Sequence, residues 1–453
     1  MKLALIGGGG VRAPLFVQSA LRRAERLGLT EICLMDIDEG QLELMGALCG
    51  ELARRAGNAV SVTRTTSADE AFTGARHVVT TIRPGGVEGR IADERIALRE
   101  NVLGQETTGA GGFAMALRSI PAILAYAKRL REISPDAWLF NFTNPAGLVT
   151  QALSDAGISR VIGICDSANG AQNAVAHWLQ REPRAVQADV FGLNHLSFSR
   201  NAIVDGRDRL PEALADDRFL ASTPLRVFEP EVVRRHGVWI NEYLYYYYYA
   251  DRALADLQSG ATRGEEVREL NRGLLRELGE IDVGRHPGSA LDAYFAYEHR
   301  RSASYMQHAN HAEPVEVDDD EEDAASDGEG YAGVALDIIE ALEGGAPIRT
   351  GLNVRNDGAI ADLRADDVVE VSCRVDRDGV HPLPAGKMPE AQSYLVQSVK
   401  HYERLTVAAI RERSRALAVE ALVAHPLVLS YSRAEPLVDN YLKAHRPDAE
   451  EWA

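Results

Sequence analysis

Cysteine is scarce in this 453-residue sequence, which has four. They stand at Cys33, Cys49, Cys165 and Cys373, with no CxxC pair and no framework spacing. This excludes a disulfide-stapled scaffold and a cysteine zinc ribbon; reduced thiols are the expected state. Long apolar runs are lacking as well, since no stretch reaches about 18 consecutive apolar residues, and no membrane-spanning helix is expected. Positive charge is in deficit, with 49 Lys and Arg against 67 Asp and Glu and a formal charge of -18. Such a surface repels nucleic acid and anionic membranes, so neither is an expected partner, and an anionic ligand needs a locally basic pocket. The opening MKLALIGGGG has one Lys and too short an apolar run for a secretory h-region, which makes a cytoplasmic location the expectation.

What is present is a globular composition, 45% hydrophobic and 26% charged, enough for two or three domains with a sizeable core. Short apolar runs alternate with amphipathic ones. Strands are expected at KLALI (2–6), EICLMD (31–36), VSVTRT, RHVVTTI, AWLFNF and VIGICD, with helices from Pro14 to about Gly28, over 39–56 and from about Ala114 to Ile133. This alternation predicts an α/β fold with a Rossmann-type doubly wound parallel sheet of the lactate and malate dehydrogenase kind. Beyond about residue 190 longer helices (263–279, 393–422) mix with short strands such as DVVEVSCRV. The expected division is therefore 1–190 for a nucleotide-binding domain and 191–453 for an α+β domain serving substrate, metal and assembly. The acidic segment 313–329 reads as a solvated loop.

Gly7, Gly8, Gly9 and Gly10 lie between the first strand and the first helix, where small residues let backbone approach a pyrophosphate at a helix N-terminus. Arg12 stands where a third fingerprint glycine is usual; a plain tight turn would also use glycines. Asp36 ends the second strand, where a carboxylate accepts hydrogen bonds from ribose hydroxyls and repels a 2′-phosphate, so NAD is favoured over NADP. Thr81 and Asn141, on the following strand ends, complete the residues assigned to the cofactor. GQETTGAGG (104–112), Arg83, Arg90 and NFTNPAG (141–147) are polar loops at the same sheet edge, and Arg90, Glu106 and Asn144 can converge there. Cys165 and His195 offer a thiolate and an imidazole to a borderline divalent cation, although a strand cysteine is ordinarily a small core residue. In EYLYYYYYA, aromatic packing accounts for most rings. One tyrosine beside a cation, however, could act as a base.

In order and spacing, GGGGVRAP, TTIRPGGVEGR, DERIAL, GQETTGAGG, NFTNPAG, GICD, GLNHL and EYLYYY resemble glycoside hydrolase family 4. The likeness resumes in GYAGVALDIIEAL, LNVRNDGAI, VVEVSCRVDRDGVHPL and the HPLV of 425–428. That NAD-dependent family stands apart from two-carboxylate glycosidases. The resemblance implies NAD, a divalent metal (usually Mn2+), a phosphorylated disaccharide or glucoside as substrate, and a homodimer or homotetramer. It implies Cys165 and His195 as metal ligands, Asp166 as the acid and Tyr243 as the base. Glu106 would raise the basicity of that tyrosine, while Arg90, Asn144 and Arg263 would hold substrate. Length, C-terminal segments and the CDS sequence are similar to the 6-phospho-β-glucosidase branch, whose activity is the expected one, whereas Asp166 after the cysteine is more typical of 6-phospho-α-glucosidases, the alternative. A hydroxyacid dehydrogenase and a non-catalytic NAD and sugar sensor stay open as other classes.

Overall fold

Most of the short apolar runs form the centre of a sheet, and in the computed structural model, which describes residues 1–304, 330–446 and 449–452, these are buried on both faces, while the run VSVTRT forms a half-exposed edge. The acidic segment 313–329 lies outside these residues. Strands β1 (Lys2–Ile6), β2 (Glu31–Met35), β3 (Ser61–Thr65), β4 (Ala75–Thr80), β5 (Trp138–Asn141) and β6 (Val161–Gly163) pair in parallel in the order β3-β2-β1-β4-β5-β6. Strand order reverses at β1 and β4, which opens a crevice outside their carboxyl ends. Asp38 begins the helix Glu39–Arg55 by accepting a hydrogen bond from the Gln41 amide. The helix Ala13–Arg22 has proline in its first turn and stops short of the expected end; a separate turn, Ala24–Leu27, closes on left-handed Gly28.

Strands β7 (Gln187–Leu193), β8 (Leu196–Val204), β9 (Arg207–Asp208) and β10 (Trp239–Ile240) build a second, antiparallel sheet. Residue 190 lies within β7. Strands β11 (Ile348–Arg355), β12 (Val368–Asp376) and β13 (Gly379–Pro382) then return to the first sheet, where β11 pairs antiparallel to β6 through Asn353 and Gly163. The Ser372 hydroxyl on β12 donates to Ala188 O (2.7 Å) and accepts from Val190 N (2.9 Å), which fastens β7 across β12. The hairpin that turns at Asn194 and His195 is thereby fixed relative to the parallel sheet.

The helix Gly109–Ile133 begins five residues before the expected Ala114. Its glycines explain this, since a Cβ at Gly111 or Gly112 would lie 2.0 or 2.4 Å from the carbonyl oxygen of Gln105 or Thr107. The first turn is therefore packed directly beneath the GQETT loop. By length and composition this helix could cross a membrane, but 67% of its most apolar window is buried inside the fold. The run 393–422 is two helices, Glu390–Glu412 and Arg415–Ala424, parted where Arg413 takes a left-handed conformation. The helices Arg263–Glu280 and Pro287–Ala303 pack on Glu39–Arg55 through Leu48, Leu274, Leu278, Leu291 and Tyr294. Tyr294 also donates to Val11 O (2.8 Å), fixing that layer over the glycine turn.

Candidate active site

The carboxyl ends of the parallel strands carry the polar residues. At the end of β1, Gly7 takes φ 99°, and a Cβ there would stand 2.7 Å from Thr81 O; at Gly8 it would meet Leu34 at 2.7 Å. The turn is thus threaded between β2 and β4 with no room for side chains. Asp36 accepts from Gly9 N (2.9 Å) through one oxygen and from Asp38 N (3.2 Å) through the other. Thr81 N bonds Ile6 O (2.8 Å), while buried Asn141 accepts from Thr80 Oγ1 (3.1 Å) and donates to Thr143 O (3.2 Å). Arg12 occupies the N-cap of the helix Ala13–Arg22. Gly7, Gly9, Gly10, Arg12, Asp36, Thr81 and Asn141 therefore gather at the carboxyl ends of β1, β2, β4 and β5, the edge at which a doubly wound sheet receives a dinucleotide.

Next along that edge, Glu106 is buried between two guanidiniums. Arg83 Nη1 bonds one of its oxygens and Arg90 Nη1 the other (2.8 Å). Arg90 also donates to Glu94 (2.7 Å), whose second oxygen accepts from Gly264 N (2.9 Å). Burial and the neighbouring guanidiniums of Arg90 and Arg301 lower the Arg83 pKa to about 9. Positive charge is crowded here, which suits an anionic ligand in an otherwise acidic protein. Arg263 sits close by at the start of its helix, donating to Ser304 Oγ (2.8 Å) and Arg301 O (3.3 Å) as well as Glu266 (3.1 Å). Asn144 precedes a cis proline in the loop that follows β5.

Cys165 follows β6, and its Sγ lies 3.1 Å from Ser167 Oγ and 3.8 Å from Asp166 Oδ1. Burial, then Asp166 and Glu370, push the Cys165 thiol well above its ordinary value. His195 is in the two-residue hairpin turn between β7 and β8 at φ 60°, a conformation that a non-glycine residue adopts only at a cost. Burial lowers its pKa to about 3, so the imidazole is neutral, as a metal ligand must be. Glu370, on β12, is fully buried; one oxygen accepts from Asn353 (2.9 Å) and Asn194 (3.3 Å), and the Ser197 hydroxyl also faces the carboxyl group. Burial pushes Glu370 up to about 7 and neighbouring Glu242 up to about 8. Among the described residues no three or more His, Cys, Asp and Glu side chains cluster as a complete metal cage; a thiol and a neutral imidazole are a donor pair that suits a borderline divalent cation whose other positions are left to substrate oxygens.

Tyr243 stacks on His195, with ring centres 3.6 Å apart. Asn241 places it by accepting from Tyr243 N (3.0 Å) while donating to Ser167 Oγ (3.1 Å). The following tyrosines pack, as expected for most of these rings. They wind through a short 3-10 turn, Glu242–Leu244, and a single α turn, Tyr245–Tyr248. Burial raises the pKa of all five rings from Tyr245 to Tyr249, which keeps them protonated and in a packing role.

Gln105, Thr107, Asn194, Asn241, Glu242 and Glu370 were not singled out in the sequence. Gln105 and Thr107 lie within a quoted motif, and Asn194 and Glu242 adjoin selected residues, but only tertiary contacts reveal their places. Glu370 sits among the valines of VVEV in β12, and a charged residue amid that run is the one available signal.

The sequence matches the family described as Family 4 glycosyl hydrolase over residues 2–181, and its C-terminal domain over 190–428. The probable 6-phospho-beta-glucosidase of Bacillus subtilis is 30% identical across 98% of this chain and 96% of its own. The maltose-6′-phosphate glucosidase of the same organism is 27% identical across 98% and 95%. Among solved structures, the 6-phospho-beta glucosidase from Thermotoga maritima with manganese, NAD+ and glucose-6-phosphate superimposes with a TM-score of 0.81 at 28% identity, covering 98% of each chain.

Proposed function

The chain belongs to glycosyl hydrolase family 4, and we propose that it hydrolyses 6-phospho-β-glucosides in the cytoplasm, using NAD+ and a divalent cation such as Mn2+. The observation that carries this reading is the stack of Tyr243 on His195, linked through Asn241 and Ser167 to Cys165, with the Arg83, Arg90 and Glu106 cluster at the same ends of the parallel strands. Residues 1–190 hold the cofactor and also supply Cys165, Asp166, Arg90 and Asn144, while 191–453 complete the substrate and metal site with His195, Tyr243 and Arg263 and serve assembly as a homodimer or homotetramer.

Gly7, Gly9, Gly10, Arg12, Asp36, Thr81 and Asn141 hold the dinucleotide; Cys165 and His195 hold the metal. When bound, NAD+ would accept and later return a hydride at sugar C3, and the cation would polarise the oxygen there, easing loss of its hydroxyl proton to solvent and acidifying the C2 proton. Tyr243 removes that proton, and Asp166 protonates the departing glycosidic oxygen at C1. Water adds at C1, Tyr243 returns a proton to C2, and Asp166 takes one from the water. Glu106 orders Arg83 and Arg90 and adds negative charge near the base. Arg90, Asn144 and Arg263 bind the sugar and its phosphate, for which a guanidinium is geometrically suited.

Hydrolysis of p-nitrophenyl β-D-glucoside 6-phosphate tests the reading. Release is expected to require the phosphate, NAD+ and Mn2+, and to leave no net NADH. Preference for the α-anomer would move the substrate to the 6-phospho-α-glucosides, in keeping with Asp166. NADH accumulating with substrate consumed would replace the hydrolase by a dehydrogenase, and binding without turnover would indicate a sensor.

A further inference from the structure

The loop before the helix Gly109–Ile133 touches the imidazole of His195. Gln105 Oε1 accepts from Thr107 N (2.7 Å) and Thr108 N (2.7 Å), and these two backbone donors require that the facing amide atom be oxygen. Thr107 Oγ1 lies 3.0 Å from the same oxygen and 2.6 Å from His195 Nδ1. Gln105 Oε1 has no proton to give, so the Thr107 hydroxyl donates to it. The threonine oxygen is then an acceptor on its other side, and the proton between Thr107 and His195 belongs to Nδ1. Nε2 is left with its lone pair exposed.

Resting on the metal-dependent reading above, we propose that Thr107, oriented by Gln105, is a positioning residue that locks His195 in the Nδ1–H tautomer and so presents Nε2 to the cation. A ligating histidine needs such a partner on its other nitrogen to fix ring orientation and tautomer, and loss of that partner typically weakens metal binding about 10–100-fold. Here the partner has a second role. Glu106, between Gln105 and Thr107, engages Arg83 and Arg90, so one short loop sets both the metal ligand and the anion-binding cluster.

Thr107→Val retains the shape of the side chain without the oxygen, and Thr107→Ser retains the oxygen without the methyl group. Mn2+ binding to each protein with NAD+ present is read from the electron paramagnetic resonance of free Mn2+. The His195 tautomer is read from 15N shifts of metal-free protein, and NAD+ affinity reports the integrity of the fold. Thr107→Val is expected to bind Mn2+ about 10–100-fold more weakly with NAD+ affinity unchanged, and to lose the Nδ1–H signature, while Thr107→Ser stays within about threefold of wild type. Wild-type Mn2+ affinity in Thr107→Val would overturn the proposal, as would a Thr107→Ser protein as weak as the valine variant. Wild-type protein that binds no Mn2+ at all would overturn the metal centre itself, and the Thr107 role with it.

Discussion

The phenol of Tyr243 lies flat on the imidazole of His195, with ring centres 3.6 Å apart and planes 6° from parallel. The proposed base and metal ligand are thus held as one unit, although 48 residues separate them (243 minus 195). Tyr243→Phe keeps this stack and removes only the hydroxyl. Its turnover is expected to fall by about 10²–10⁴, with NAD+ and Mn2+ affinity retained. Near-wild-type turnover in steady-state assays would take the base role from Tyr243.

Cys165→Ser exchanges a soft thiolate donor for a hydroxyl at nearly the same position. Mn2+ is expected to bind more weakly by about 10-fold or more, with activity lost at micromolar metal and NAD+ binding unchanged. Isothermal titration with Mn2+ checks this, and an unaltered affinity would remove Cys165 from the ligand set.

Burial raises Glu242 from an ordinary 4.5 to about 8. The folded state therefore holds its proton more tightly than the unfolded chain does. The stability this contributes is full below about pH 4.5 and is lost as pH rises through about 8. Urea unfolding of metal-free protein should show stability falling between pH 5 and 8. Glu242→Gln should reduce that fall by on the order of a few kcal/mol. An identical slope in the variant would show that Glu242 is not the group responsible.

The buried Asp93 carboxylate accepts from Arg118 (2.9 and 2.6 Å) and its carbonyl from the Tyr441 hydroxyl (3.3 Å), which ties the helix Gly86–Arg99, carrying Arg90, to the C-terminal helix Tyr431–His445. Asp93→Ala strands the Arg118 charge in the interior. A loss of about 3–5 kcal/mol in chemical denaturation is expected. A change below about 1 kcal/mol would mean that water reaches and solvates the guanidinium.

The sequence made the parallel half of the fold legible because each βα unit is local. The run KLALI, the glycine turn and Asp36 occupy positions that their spacing alone predicts. The return of β11–β13 to β6 was not legible, since Asn353 and Gly163 pair across 190 residues (353 minus 163) with no local marker. The same holds for Thr107 and His195, 88 residues apart. The conformation of the tyrosine run was not legible, because five like residues in a row carry no hydrophobic period and tertiary packing alone decides how they wind.

The central claim is that glycoside cleavage passes through loss of the C2 proton to Tyr243, whose hydroxyl exchanges with solvent. Its most direct test is hydrolysis of a 6-phospho-β-glucoside in D2O with NAD+ and Mn2+, reading C2 of the released glucose 6-phosphate by mass spectrometry and proton NMR, with glucose 6-phosphate incubated alone under the same conditions as control. Deuterium at C2 in the hydrolysis product, absent from the control, is the predicted result. Product formed at full rate with C2 unlabelled would contradict the account and point to direct displacement at C1.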